Sequence, residues 1–154
     1  LKCPMLEYLD VSGTVHASNI TDASILAIAE HCPHLTYLNV EWTKQVTDVS
    51  ISAVATRCSQ LRHLDVGSTD SRVTDKSILL IAEHCPRLQR LEVSWTRGDG
   101  ITDVSLLAIA RRCRFVEHID ASGIAVTDEA VATMKRWCPG IKITRTVGNN
   151  FIED

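Results

Sequence analysis

Six cysteines recur along the 154 residues at nearly constant intervals: Cys3, Cys32, Cys58, Cys85, Cys113 and Cys138 lie 29, 26, 27, 28 and 25 residues apart. Apolar residues follow at fixed offsets of three, six and eight: Leu6, Leu9 and Val11; Leu35, Leu38 and Val40; Leu61, Leu64 and Val66; Leu88, Leu91 and Val93; Val116, Ile119 and Ala121. After Cys138 the same offsets give Ile141, Thr144 and Thr146, so the pattern decays. Self-similarity at this period restricts the chain to a solenoid, because so short a unit buries its apolar face only against a stacked neighbour. A solenoid is mostly surface, and chains of this kind bind proteins and rarely catalyse.

The alternation after each cysteine predicts a short strand with one buried face, over Tyr8–Ser12, Tyr37–Glu41, His63–Gly67, Arg90–Ser94 and His118–Ser122, all parallel. A Thr-Asp pair then recurs as Thr21-Asp22, Thr47-Asp48, Thr74-Asp75, Thr102-Asp103 and Thr127-Asp128. Threonine is a good helix N-cap, and aspartate one step on complements the positive end of the helix dipole. The residues before it (Ile20, Val46, Val73, Ile101, Val126) are placed as hydrophobic staples. Each predicted helix carries a stripe such as Ile51, Val54, Ala55 and Cys58. The Asp-to-Cys spacing is always ten residues, so all length variation falls between strand and cap.

That shared register also decides the chemistry of the cysteines. Each closes its own helix stripe and faces the same interior, which predicts six free, reduced thiols rather than disulfides, with Cys32, Cys58, Cys85 and Cys113 inaccessible in the folded state. A reducing compartment, cytoplasm or nucleus, follows. His31-Cys32-Pro33-His34 resembles a metal-ligand cluster in isolation, but Cys58-Ser59-Gln60 holds the same place without histidine, so no metal and no cofactor are expected. Net charge is −3 with no basic run, which gives nucleic-acid binding no support. No apolar segment is long enough to span a bilayer, no signal peptide is evident, and a small-molecule ligand is not expected.

The pattern Cys-Pro-x-Leu-x-x-Leu-x-Val, with apolar-Thr-Asp-x-Ser-Ile-x-x-Ile-Ala-x-x-Cys, resembles the cysteine-containing leucine-rich repeat of F-box/leucine-rich-repeat proteins over about residues 1–140. Where that family has a second Cys, or Asn, after the strand, this chain has Thr14, Thr43, Thr69, Thr96 and Ile124. The resemblance implies an α/β fold: a right-handed leucine-rich-repeat solenoid, a horseshoe arc with a parallel concave β-sheet and convex α-helices. It further implies one domain over 1–154, about five repeats beginning mid-repeat, with 139–154 as a degenerate C-terminal cap in which Phe151-Ile152 folds over the open edge. The opening Leu1-Lys2-Cys3-Pro4 reads as the tail of a preceding helix, and the other end as a true terminus.

The strand positions five, seven and nine after each cysteine should point outward. They hold Tyr8, Tyr37, His63, Arg90 and His118; then Asp10, Asn39, Asp65, Glu92 and Asp120; then Ser12, Glu41, Gly67, Ser94 and Ser122. The carboxylate row either accepts a basic or hydrogen-bond-rich segment or is simply a solvated face. It repeats evenly on an open surface, so it is not an active site. Trp42 and Trp95 stand ten after their cysteines, where other repeats have Gly13, Ser68 and Gly123. They are either anchors for a partner, about 10 Å apart across Ser68, or folded over their own loops. Trp137 reads as part of the cap. Arg111, Arg112, Arg114, Lys135, Arg136, Lys142 and Arg145 gather in the last third, as a solvated face or a dock for an acidic neighbour.

The expected protein-binding residues are therefore Trp42, Trp95, Asp65, Glu92, Tyr37, His63 and Arg90, meeting a protein partner on the concave face or its rim. The resemblance makes the chain a non-catalytic protein–protein interaction module, the substrate-recognition repeats of an F-box-type ubiquitin-ligase adaptor. The competing expectation is a structural or scaffold subunit of a cytoskeletal, ciliary or organellar assembly.

Overall fold

The computed structural model describes residues 3–13, 19–70, 72–96, 100–147 and 150–154. Strand and helix alternate: β1 Tyr8–Asp10, α1 Asp22–His31, β2 Tyr37–Asn39, α2 Asp48–Arg57, β3 His63–Asp65, α3 Asp75–His84, β4 Arg90–Glu92, α4 Asp103–Arg112, β5 His118–Ala121, α5 Asp128–Trp137, β6 Lys142–Val147 and β7 Asn150–Glu153. The strands form one sheet in sequence order, parallel from β1 to β6. The helices stack alongside it in the same order, burying their stripes against one side of the sheet and leaving the other free. Alternating strand and helix around an open parallel sheet is the leucine-rich-repeat solenoid that the sequence motif implies.

Leu38, Leu64, Leu91 and Ile119 pair in register and are fully buried. Cutting Leu64 back to alanine should therefore cost roughly 2–5 kcal/mol. The strands are shorter than expected, three residues in β1 to β4. Pairing nonetheless continues past them: the N–H groups of Val40 and Trp42 donate to the carbonyls of Asp65 and Gly67 at 2.9 and 3.1 Å. Regular strand geometry ends because the tenth position turns into the left-handed region in all five units, at Gly13, Trp42, Ser68, Trp95 and Gly123.

The threonines after the strands are buried at Thr43, Thr69 and Thr96. Each hydroxyl donates to the carbonyl three residues back, that of Val40, Val66 or Val93, and so closes its own turn. Thr14 lies outside the described residues. The cysteines are free; Cys32, Cys58, Cys85 and Cys113 are buried, Cys138 is half-buried and Cys3 is exposed. The Cys58 and Cys113 thiols donate to the carbonyls of Cys32 and Cys85, at 3.6 and 3.5 Å, satisfying helix-end acceptors one repeat back. They are more than small hydrophobes.

Segment 139–154 departs from the expected degenerate cap. β6 is the longest strand, and Ile143 pairs with Ile119, five rather than six residues after its cysteine. One residue is missing before the strand, and a one-residue slip exchanges the two faces. Thr144 and Thr146 thus belong to the free face, while Ile141 and Ile143 are buried as usual. The slip puts Arg145 at an apolar place, opposite Ala121. Its buried guanidinium meets Asp154 at 2.6 Å, Asp128 at 2.7 Å and the Val126 carbonyl at 3.2 Å, the compensation a buried charge requires. Phe151 and Ile152 lie in β7, which adds antiparallel to β6 and covers the edge as a strand.

Candidate protein-binding face

The row nearest the start of the strands changes character along the sheet. Tyr8 stacks on Tyr37 with ring centroids 4.0 Å apart, and Tyr37 meets His63 at 4.3 Å. Parallel in-register pairing places these rings one above another. Arg90, His118 and Lys142 continue the row, so the free face runs from aromatic to basic. Burial pushes the Tyr37 phenol up to about 12. Burial, then the Arg90 charge, holds both His63 and His118 below the ordinary imidazole range, against the opposing pull of Glu92.

The acidic row has a structural task that the alternation did not reveal. Asp10, Asn39, Asp65 and Asp120 each accept, at 2.9 Å, the backbone N–H two residues on, from Ser12, Glu41, Gly67 and Ser122. These Asx turns steer the chain out of the strand. Glu92, one methylene longer, makes no such turn. Its carboxylate takes the Arg90 Nε at 2.5 Å and lies 3.5 Å from the His63 Nε2.

Asp65 corrects the expectation of an outward, ligand-facing carboxylate. It is only 4 % exposed, packed beneath its neighbours on the free face. Burial, with the nearby Glu92 charge, pushes its carboxyl up to about 8. Burial also opposes ionisation of Glu92, but hydrogen bonds from Arg90 and Asp65 hold it lower. Asp65 therefore favours its protonated form and shares that proton with an ionised Glu92, which relieves the repulsion between these two neighbours. Glu41, whose carboxyl burial and the Glu92 charge raise, is partly accessible here, as are Glu92 and Asp120, and Asp10 is exposed.

Trp42 and Trp95 remain 48 % and 50 % exposed, with φ of 65° and 57°. The left-handed region costs a bulky residue about 1–2 kcal/mol, and glycine occupies two of the equivalent places without that penalty. Both indoles line one cleft of about 240 Å³ with Lys44, Ser68 and Asp70. Lys44 and Asp70 form an ion pair at 3.6 Å across it. Ser68 forms part of the lining, and its Oγ has no hydrogen-bond partner among the described residues. Trp95 also has a packing role: its ring lies 2.7 Å from where a Cβ on Gly123 would stand, and it meets Phe151 edge-on at 5.8 Å. It is thus supported from the next repeat and the β7 hairpin, whereas Trp42 has no ring contact among the described residues.

The sequence-selected residues fall into two groups. Tyr37, His63, Arg90 and Glu92 converge on the free face; Trp42 and Trp95 meet at the rim where the strands leave the sheet. Lys44, Ser68 and Asp70 were missed because they lie in the stretch of variable length, where the period gives no register. Their one signal was proximity to the two tryptophans. The His31-Cys32-Pro33-His34 cluster does not converge: Cys32 is buried, while the His34 Nδ1 accepts from the Gln60 Nε2 at 3.2 Å. Among the described residues no group of three His, Cys, Asp or Glu side chains is placed to hold a metal. Nor is any helix there long and apolar enough to cross a membrane.

Comparison with known proteins bears on the fold. A family model described as "Leucine Rich repeat" matches residues 31–55. No curated protein matches by sequence. Among solved structures, a chain in the crystal structure of the Rad7 and Elc1 complex in yeast matches with a TM-score of 0.54 and 22 % identity, over 82 % of this chain. The match spans 38 % of that chain, so the similarity is to part of a longer protein. With the repeat register and the open parallel sheet, these matches identify the chain as a leucine-rich-repeat solenoid.

Proposed function

We propose that the chain is a non-catalytic protein-interaction module that holds a protein partner across its free sheet face and strand-exit rim, as the substrate-recognition repeats of an F-box-type ubiquitin-ligase adaptor. The observation that carries the interaction reading is the pair Trp42 and Trp95, two half-exposed indoles on left-handed backbone flanking one cleft. Such strain is retained where something other than the fold uses the side chain, and tryptophan is enriched among binding hot spots. The adaptor reading draws on the repeat motif and on the fold shared with a chain crystallised in a two-protein complex. A basic segment suits the face because Asp10, Glu41, Glu92 and Asp120 are acids at least partly accessible on it; protonated Asp65 contributes a hydrogen-bonding group rather than charge. Free thiols fit a reducing compartment, cytoplasm or nucleus.

The test is a pull-down and affinity measurement on the partner, comparing wild type with Trp42→Ala, Trp95→Ala and the double variant. The expected loss is more than about 2 kcal/mol for the double variant, with the fold intact by circular dichroism. Sequence upstream of Leu1 that encodes an F-box favours the adaptor. Its absence, together with normal binding by the double variant, transfers the proposal to a scaffold subunit of a larger assembly.

A further inference from the structure

Two positions before each cysteine, successive helices carry Glu30, Thr56, Glu83, Arg111 and Arg136. The same helical site therefore reverses sign between α3 and α4. In the first repeats its use is visible, since Glu30 pairs with Arg57 of the next helix at 3.1 Å. The last two repeats instead place arginine beside arginine. One position after the cysteine the series is Pro33, Ser59, Pro86, Arg114 and Pro139, so a third arginine enters at the same end of the helices.

Arg111, Arg114 and Arg136 line a single groove of about 700 Å³, with Glu117 and Trp137 also in its wall. Among the described residues none of the three arginines is in an ion pair. Of the other cations of this third, Lys142 pairs with Glu153 at 3.0 Å and Arg145 with Asp128 and Asp154, while Arg112 and Lys135 lie outside the groove. Positive charge at a helix C-terminus is favourable, yet α1 and α3 have glutamate at this place, so the fold does not require it. Trp137 is 45 % exposed, where the other repeats have His31, Arg57, His84 and Arg112.

We propose that this groove docks an acidic segment of a partner protein, its carboxylates meeting Arg111, Arg114 and Arg136 and its chain packing on Trp137. Guanidinium forks match carboxylates in paired hydrogen bonds. Three cations outside any ion pair, set against the single carboxylate of Glu117 in one concavity, concentrate a field that draws an anionic ligand. The groove lies where the strands begin and the Trp42–Trp95 cleft where they end, so this surface is independent of the one proposed above.

The probe is a fluorescently labelled peptide rich in glutamate and aspartate, titrated with the full chain and followed by fluorescence polarisation at several salt concentrations. Saturable binding that weakens as salt rises is expected. The triple variant Arg111→Glu/Arg114→Glu/Arg136→Glu should lose more than about tenfold in affinity, and the milder triple Arg→Gln variant should move the same way if charge reversal impairs folding. Trp137→Ala should weaken binding, while Trp42→Ala/Trp95→Ala should leave it unchanged. Absence of binding by the wild type, or unchanged affinity in a folded triple variant, overturns the proposal. So does capture of phosphatidylserine vesicles or single-stranded DNA in place of the peptide.

Discussion

Asp48 and Thr74, 26 residues apart, are joined twice: the carboxylate accepts the Thr74 backbone N–H at 2.8 Å and its hydroxyl at 2.6 Å. The same clamp joins Asp22 to Thr47, Asp75 to Thr102 and Asp103 to Thr127. In the middle repeats the hydroxyl that donates to aspartate also accepts an amide of its own helix, as Thr74 does from Lys76 at 3.2 Å. The repeated Thr-Asp pair is thus one device seen from two sides: threonine caps its helix, and aspartate holds the next repeat's cap in place.

Removing one clamp should loosen two repeats together. Asp75→Ala is expected to lower stability by about 1.5–3 kcal/mol, the range for hydrogen bonds to a charged group, and Asp75→Asn by less, since one acceptor survives. Urea unfolding checks both values. Asp22 adds a pH signature. Burial opposes its ionisation, but hydrogen bonds from Ser50 and Thr47 hold its carboxyl below 3.8. Its contribution is present above the unfolded value and lost as pH falls through the lower folded value, so Asp22→Ala should flatten the acid limb of the stability curve.

Trp42 and Trp95 should separate strain from packing. Trp42→Gly removes a left-handed bulky residue and no ring contact among the described residues, so the thermal midpoint should hold or rise, by up to about 1 kcal/mol of stability. Trp95→Gly relieves the same strain but loses the ring pair with Phe151, worth about 0.5–1.5 kcal/mol, and its packing over Gly123, so its midpoint should fall below that of Trp42→Gly. Scanning calorimetry of the two variants in one buffer decides the order.

The thiols divide by burial. Cys3 should react with a thiol reagent at once and Cys138 more slowly. Cys58, Cys85 and Cys113, whose thiols burial pushes up to about 11, 12 and 12, should react only on unfolding, as should buried Cys32. Counting modified thiols by mass spectrometry before and after denaturant checks this. Cys58→Ser should be destabilising by about 1 kcal/mol, the low end for a polar replacement in the interior, because its hydroxyl inherits the Cys32 carbonyl as acceptor.

The fold was legible because burial imposes a period: Leu38, Leu64 and Leu91 must be spaced as they are for a stacked core to close. What period cannot show is where side-chain ends go once the backbone is in register. Asp65 and Glu92 occupy equivalent places, yet one methylene separates an Asx turn from an ion pair. Arg145 was grouped with the basic surface cluster, although it is buried, because the pattern was carried past Cys138 without a deletion, which assigned its neighbours to the wrong face. The cleft residues Lys44 and Asp70 lie in the stretch whose length varies, outside any repeat-based register.

The proton shared by Asp65 and Glu92 gives the free face its own pH dependence. An acid whose folded pKa is raised, here from 3.8 to about 8, binds more protons folded than unfolded between those values, so stability falls as pH rises through that window. Asp65→Asn mimics the protonated form: its amide oxygen can still accept the Gly67 N–H and its amide nitrogen can donate to Glu92. It should match wild type below about pH 4, where the acid is protonated in both states, and pull ahead above it, the gap widening between pH 5 and pH 8 by at least about 1.4 kcal/mol, the worth of one pKa unit. Glu92→Gln should lower the Asp65 carboxyl by removing the adjacent negative charge, and so shrink the same slope. Denaturant unfolding across pH 5 to 9 measures both, and a wild-type curve as flat as that of Asp65→Asn would show that Asp65 is ionised in the folded protein.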